Sequence, residues 1–258
     1  MPTWDPDVYQ RYKAYRDRPA LDLMLQIPRG LDPREIWDLG CGTGEHAALL
    51  AARHPEARVH GLDSSPEMLA RGRAMRGDID WVLGDIAGFA PEIPPDLIFT
   101  NAALQWLDHH ETLFPRLMGL LAPGGVLACQ IPVVADDGWR RSLREVAQDG
   151  PWAPRLVDLE RVRSGVDPRP YHDWLSPLSA ELDIWVTTYV HALGGEDPIV
   201  DWTSGTSLKP YLEALEDPAE RAAFLTAWRA RLAIDYPRRA DGVTLFPFTR
   251  MFMVAQRY

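Results

Sequence analysis

The sequence predicts an α/β protein built on a parallel sheet. Strand-like runs recur roughly every 20 to 30 residues with helical segments between them, which is the signature of βαβ units. The first run breaks into a glycine-rich turn, Asp38-Leu39-Gly40-Cys41-Gly42-Thr43-Gly44, and that turn leads straight into a helical stretch, Glu45 to Arg53. The alternation then holds to about residue 131.

In order along the chain, residues 7–28 read as a lead-in of one or two helices, with Tyr9, Tyr12 and Tyr15 and then Leu21, Leu23, Met24 and Leu25 on apolar faces. Ile36–Leu39 is the first strand and Arg58–Leu62 the second. Ser65-Pro66 opens the next helix with a serine cap and a proline in its first turn. Ile79–Leu83 is a third strand and Pro95–Thr100 a fourth, followed by a helix from about His109 to Leu121. Ala122-Pro123-Gly124-Gly125 makes a turn into a fifth strand, Val126–Ile131. From Pro132 to Ser179 the chain is rich in Pro, Trp and Arg, with a helical piece at Asp137–Gln148 and no strand-like run. Asp183–His191 resumes as a strand. Two amphipathic helices follow, Ile199–Leu215 and Pro218–Tyr236, and Leu245–Gln256 is the final strand.

Composition narrows the function. Apolar residues make up 46% of the 258 and charged residues 25%, ordinary values for a soluble domain with one substantial core. The net charge of −10, with an acidic excess in both halves, argues against a nucleic-acid partner, which would require a basic face. Two cysteines, Cys41 and Cys129, suggest neither a disulfide framework nor a metal site, so a reducing, cytoplasmic compartment is expected. No apolar run approaches the roughly 18 residues of a membrane helix, and no signal peptide is visible. The pair His109-His110 lacks a second cluster of metal ligands and reads as a helix start.

The glycine turn lets backbone N–H groups approach a ligand without a Cβ in the way. Alone, that pattern also suits a dinucleotide-binding turn. The acids sharpen it: Asp38 stands two residues before the first glycine, and Asp63 and Asp85 end the next two strands. A pyrophosphate would be poorly served by acid at the first turn. A cationic amino-acid ligand with ribose hydroxyls would be well served, which points to S-adenosyl-L-methionine (SAM).

These motifs, in this order, resemble the class I SAM-dependent methyltransferases. The resemblance implies a seven-stranded Rossmann-like sheet whose last strand is antiparallel, with a helical cap from inserted and C-terminal segments. It implies one domain over 1–258: a lead-in (1–30), a SAM-binding core (31–132), an inserted cap (133–180), and final strands with cap helices (181–258). Asp38 would hold the amino end of methionine, and Gly40 and Gly42 would let the backbone approach. Asp63 would accept the ribose hydroxyls, with Ser64 and Met68 following in register; Met68 would lie against the adenine or simply fill the core. Asp85 and Ile86 would meet the adenine, and Asn101 the methionine moiety, with Gln105 and Trp106 after it.

Four segments resemble a narrower group, methyltransferases that esterify the tricarboxylate trans-aconitate. They are Trp4-Asp5-Pro6…Tyr9, Asn101–Trp106, Asp183-Ile184-Trp185…Thr187-Thr188-Tyr189, and Asp201-Trp202…Gly205…Leu208-Lys209-Pro210. A carboxylate is already ionised at pH 7, so its methylation needs no general base and no catalytic side chain is expected. The remaining anions need cations. Arg250 is the leading candidate because it interrupts an apolar strand, where an unpaired charge would be costly; an outward face or a structural acid would also account for it. Lys209, Trp202, Tyr171 and His172, with Arg18, complete the substrate candidates. Another carboxyl methyltransferase, such as one acting on a malonyl carrier, and a non-catalytic SAM-binding protein are the alternatives.

Overall fold

The computed structural model describes residues 13–133, 137–156, 159 and 167–258. Tyr9, Tyr12 and the segment Trp4-Asp5-Pro6 lie outside them. The chain divides into two compact units. A sheet unit holds residues 18–132, the described part of 163–187, and 250–258; a helical unit holds the described parts of 1–17 and 133–162, together with 188–249.

Seven strands form one sheet: β1 (Glu35–Leu39), β2 (Arg58–Asp63), β3 (Asp80–Leu83), β4 (Leu97–Asn101), β5 (Val126–Pro132), β6 (Ser179–Gly194) and β7 (Val243–Arg257). Their order is β3-β2-β1-β4-β5-β7-β6. Strands β1 to β5 pair in parallel, and β7 pairs antiparallel with β5, as the family resemblance implied. The reversal of strand order beside β1 puts the switch point next to the glycine turn, where open α/β sheets bind ligands. Strands β4 and β5 are apolar almost throughout because both of their faces are covered. Within this unit the helices are the bulk of α1 (Lys13–Gln26), then α2 (Glu45–Arg53), α3 (Pro66–Met75) and α4 (His110–Leu120). Helix α7 (Pro168–Leu175) also belongs here. Among the described residues no helix is long and apolar enough to cross a membrane.

The helical unit contains α5 (Gly138–Gln148), α6 (Ala153–Leu156), α8 (Pro198–Ser204), α9 (Lys209–Ala214) and α10 (Pro218–Asp235). Its core is strongly aromatic, built on Trp139, Trp152, Trp202, Phe224, Trp228 and Phe246. Indole N–H groups buried there find acceptors: Trp228 Nε1 donates to Ser142 Oγ at 3.1 Å. The single helix expected over Ile199–Leu215 is in fact two, α8 and α9, separated at Gly205. Pro210 explains the break. It lacks an N–H and its ring would collide with the carbonyl four residues back, so it is accepted only in the first turn of a new helix.

Candidate active site

The glycine turn follows β1 and is held in place from β2. Gly40 and Cys41 both donate backbone N–H groups to Leu62 O, at 2.8 and 3.0 Å. Asp63 then works from both carboxylate oxygens: Oδ2 accepts Gly42 N at 2.8 Å, and Oδ1 accepts Ser65 N at 2.9 Å. Gly40, Gly42 and Gly44 all have left-handed φ, at 72°, 56° and 85°, a region costly for residues with a Cβ. They differ in surroundings. A Cβ on Gly40 would collide with Ala103, and one on Gly44 with the Trp81 ring, whereas a Cβ on Gly42 would meet nothing within 4 Å. Gly42 therefore borders open space, and the other two glycines border protein.

Asp38 is buried, and its Oδ2 has no hydrogen-bond partner among the described residues. Burial first, and then the neighbouring Asp63 charge, push its carboxyl up to about 8; Ala47 N–H opposes the shift and Glu45 adds to it. A buried acid with an orphaned oxygen, crowded by a half-buried second acid, suits a cation. The ammonium and sulfonium groups of SAM match that donor set, so Asp38, Asp63 and the open face at Gly42 fit the group.

The remaining predicted cofactor residues sit at or just beyond the strand ends of the same unit. Ser64 is exposed and Met68 half-buried, with Met68 N–H donating to the Ser65 cap of α3. Asp85, exposed, caps the short 3-10 turn Ile86–Gly88 by accepting Ala87 N at 2.8 Å, and Ile86 is buried. Asn101 ends β4, and its Oδ1 is buried without a partner among the described residues. The next residue, Ala102, has φ 54°, a strained conformation for alanine. Both of its backbone groups are tied down: its N–H to Gln130 O at 2.9 Å, and its carbonyl by Gln105 Nε2 at 2.6 Å.

The substrate candidates fall in both units. Arg250 is 4% exposed on β7 and its Nη1 donates to Gln130 Oε1 at 3.2 Å. Tyr171, on α7, is buried and its hydroxyl is engaged by His110 Nδ1 at 2.6 Å, while His110 Nε2 meets Leu104 O at 2.9 Å. Since a carbonyl only accepts, Nε2 carries a proton, and in the neutral ring Nδ1 then accepts from the phenol. Burial raises the Tyr171 phenol, which keeps that donor protonated. His172 is exposed beside Asp173. Lys209 and Trp202 belong to the helical unit: Lys209 Nζ lies 3.5 Å from Glu213 one turn along, and Trp202 is buried against His191, Phe246 and Phe248.

Register arranges the polar residues of the sheet unit in a row. Asp38 pairs with Phe99, two residues before Asn101; Asn101 pairs with Gln130; Gln130 pairs with Phe252, two residues after Arg250. Side chains alternate with period two, so Asp38, Asn101, Gln130 and Arg250 share one face across β1, β4, β5 and β7. The sequence reading passed over Gln130 and His110. A lone amide in the apolar run Val126–Ile131 was the available signal for the first; His110 was visible only as half of a histidine pair.

Comparison with known proteins gives the family and the fold. A family model described as a methyltransferase domain matches residues 36–125. The chain is 45% identical to a trans-aconitate 2-methyltransferase of Methylobacterium radiotolerans, covering 100% of this chain and 99% of that one. It is 44% identical to the protein of that name from Azoarcus sp. strain BH72, over the full length of both. For the Streptomyces coelicolor protein of that name the figure is 44%, over 99% of this chain and 87% of the other. Among solved structures, the YcgJ protein of Bacillus subtilis superposes with a TM-score of 0.60 at 14% identity, over 93% of this chain and 98% of that one. The plantazolicin methyltransferase BpumL, crystallised with S-adenosylhomocysteine, gives 0.53 at 14%, over 98% and 88%. At those identities the likeness is one of fold.

Proposed function

Because the chain belongs to the trans-aconitate 2-methyltransferase family of class I SAM-dependent methyltransferases, we propose that it esterifies one carboxylate of trans-aconitate, giving the monomethyl ester and S-adenosylhomocysteine. The observation that carries the substrate to this site is Arg250: a buried guanidinium on the face that also bears Asp38 and Asn101.

The division of labour follows from charge. Bound SAM supplies an electrophilic methyl group on a sulfonium. Asp38 and Asp63 would balance its positive charges, and Asp63 has lone pairs left for ribose hydroxyls beyond the two backbone N–H groups it already accepts. Asn101 Oδ1 would face the methionine end, and Asp85 and Ile86 the adenine. Arg250 would hold a carboxylate that is not methylated, using the fork that suits carboxylate geometry. The attacking carboxylate is already ionised, so no proton has to be removed. What the chain contributes is placement: a carboxylate oxygen brought to about 3 Å from its target and aligned with it. His110 and Tyr171 support this indirectly by fixing the Leu104 carbonyl in the loop that follows Asn101.

The two buried free cysteines fit a reducing compartment, and we place the enzyme in the cytoplasm. A transfer assay with methyl-labelled SAM tests the reaction against trans-aconitate, cis-aconitate, citrate, isocitrate and a malonyl-carrier protein. Base-labile label chiefly on trans-aconitate is the expected result. Transfer chiefly to the carrier would overturn the substrate, and SAM binding with no transfer would leave a SAM-binding protein.

A further inference from the structure

We propose that Gln130 is a specificity-determining residue, donating through Nε2 to a substrate carboxylate that is not methylated. The inference rests on the reading of the substrate as trans-aconitate. Gln130 is fully buried in β5, and its Nε2 has no hydrogen-bond partner among the described residues. An amide can be built either way round, but its neighbour settles the orientation here. Arg250 has only donors, so the atom facing its Nη1 at 3.2 Å must be the carbonyl oxygen. The two N–H donors of Nε2 are then turned away from the guanidinium. A buried amide donor left unsatisfied costs about 1–3 kcal/mol, so a side chain of this kind inside an apolar strand is a cost that ligand binding would offset.

What it faces follows from register. Asn101 lies directly across from Gln130 on β4, one strand nearer the glycine turn, and Arg250 stands one strand farther on β7. Neighbouring strands are about 4.8 Å apart. The face therefore runs from an acidic end at Asp38, suited to a cationic cofactor, to an end at Gln130 and Arg250 that carries N–H donors, suited to an anion. Phe252, on the same face, stacks on Trp185 with centroids 4.9 Å apart. That apolar flank lowers the local dielectric and strengthens a charge-assisted hydrogen bond. The Gln130–Arg250 contact also pre-orients both donors before the anion arrives.

Two variants test this. Gln130→Leu removes the donor at similar volume. Gln130→Glu keeps an acceptor for Arg250, which favours folding, but sets a negative charge against the substrate carboxylate. For Gln130→Leu the KM for trans-aconitate should rise about 10- to 100-fold, the loss of one hydrogen bond to a charged group, while the SAM dissociation constant stays at its wild-type value. Gln130→Glu should raise the KM further still. If the two constants move together, or if either folded variant keeps the wild-type KM for trans-aconitate, the assignment is wrong. Should Gln130→Leu not fold, Gln130→Glu alone decides. Wild-type enzyme that leaves trans-aconitate unmethylated overturns the substrate reading itself, a result separable from an active wild type with indifferent variants.

Discussion

Asp63 and Arg250 each make structural hydrogen bonds and are each proposed to bind a ligand, and substitutions can tell the two roles apart. Asp63 fixes Gly42 N and Ser65 N with separate oxygens, so Asp63→Asn keeps one acceptor and loses the other. The expected result is a SAM dissociation constant raised about 10- to 100-fold, measured by calorimetry, with the KM for trans-aconitate at saturating SAM little changed. Unchanged SAM affinity would refute the ribose assignment. Arg250 should show the opposite pattern. Arg250→Ala is expected to raise the KM for trans-aconitate about 10- to 100-fold and to leave SAM binding intact. Arg250→Lys should recover only part of it, because an ammonium cannot present the guanidinium fork to a carboxylate or to Gln130. Both residues were legible in the sequence for local reasons. Asp63 ends a strand in a repeating strand–turn–helix unit, and Arg250 is a charge inside an apolar run. Gln130 left only a faint signal, a lone amide in an apolar run, because a polar side chain in a strand announces a function only once its neighbours are known.

The glycine turn is an element whose parts do different jobs, and alanine substitutions separate them. Both Gly42→Ala and Gly44→Ala force a Cβ into the left-handed region, which costs about 1–2 kcal/mol. Gly44→Ala also drives that Cβ into Trp81, whose ring is wedged between Gly44, Gly61 and Gly72 and anchored by Nε1 donating to Arg76 O at 2.9 Å. Overpacking there adds about 1–3 kcal/mol more. Urea unfolding should therefore show Gly44→Ala as clearly the less stable variant. Gly42→Ala, whose Cβ enters open space beside Asp63, should lose more SAM affinity than stability. Equal effects of the two variants on both quantities would contradict the division. The spacing of the glycines was readable because the turn is contiguous in sequence. Trp81 was not readable as its support: its contacts come from a turn, a strand and a helix that only the sheet brings together. The split of α8 from α9 had its cause in plain view, at Gly205 and Pro210, yet an amphipathic pattern that continued through both outweighed it.

At the scale of the whole molecule, the raised carboxyl of Asp38 links folding, pH and cofactor. In the unfolded chain this acid ionises near 3.8; in the fold it does so at about 8, chiefly through burial and then through the Asp63 charge. Between those values the folded state holds a proton that the unfolded state has released. Stability from this group is complete below about pH 4, falls as pH rises, and is gone above about pH 8. The slope it contributes is at most about 1.4 kcal/mol per pH unit. The amide introduced by Asp38→Asn cannot titrate, so the difference in unfolding free energy between wild type and this variant should tilt against the wild type from pH 5 to pH 8. Parallel curves would remove Asp38 from the account. A bound cation beside the carboxylate favours the ionised form, so saturating SAM should flatten the wild-type curve and release a proton on binding near pH 7. The same titration in buffers of different ionisation enthalpy reads that proton directly. A buried Asp38 that gives up its proton when a cationic ligand binds is what the proposed cofactor pocket at the sheet switch point requires. The three strand-end acids were visible in the sequence, and only the packing around them determined that Asp38 would be the buried one.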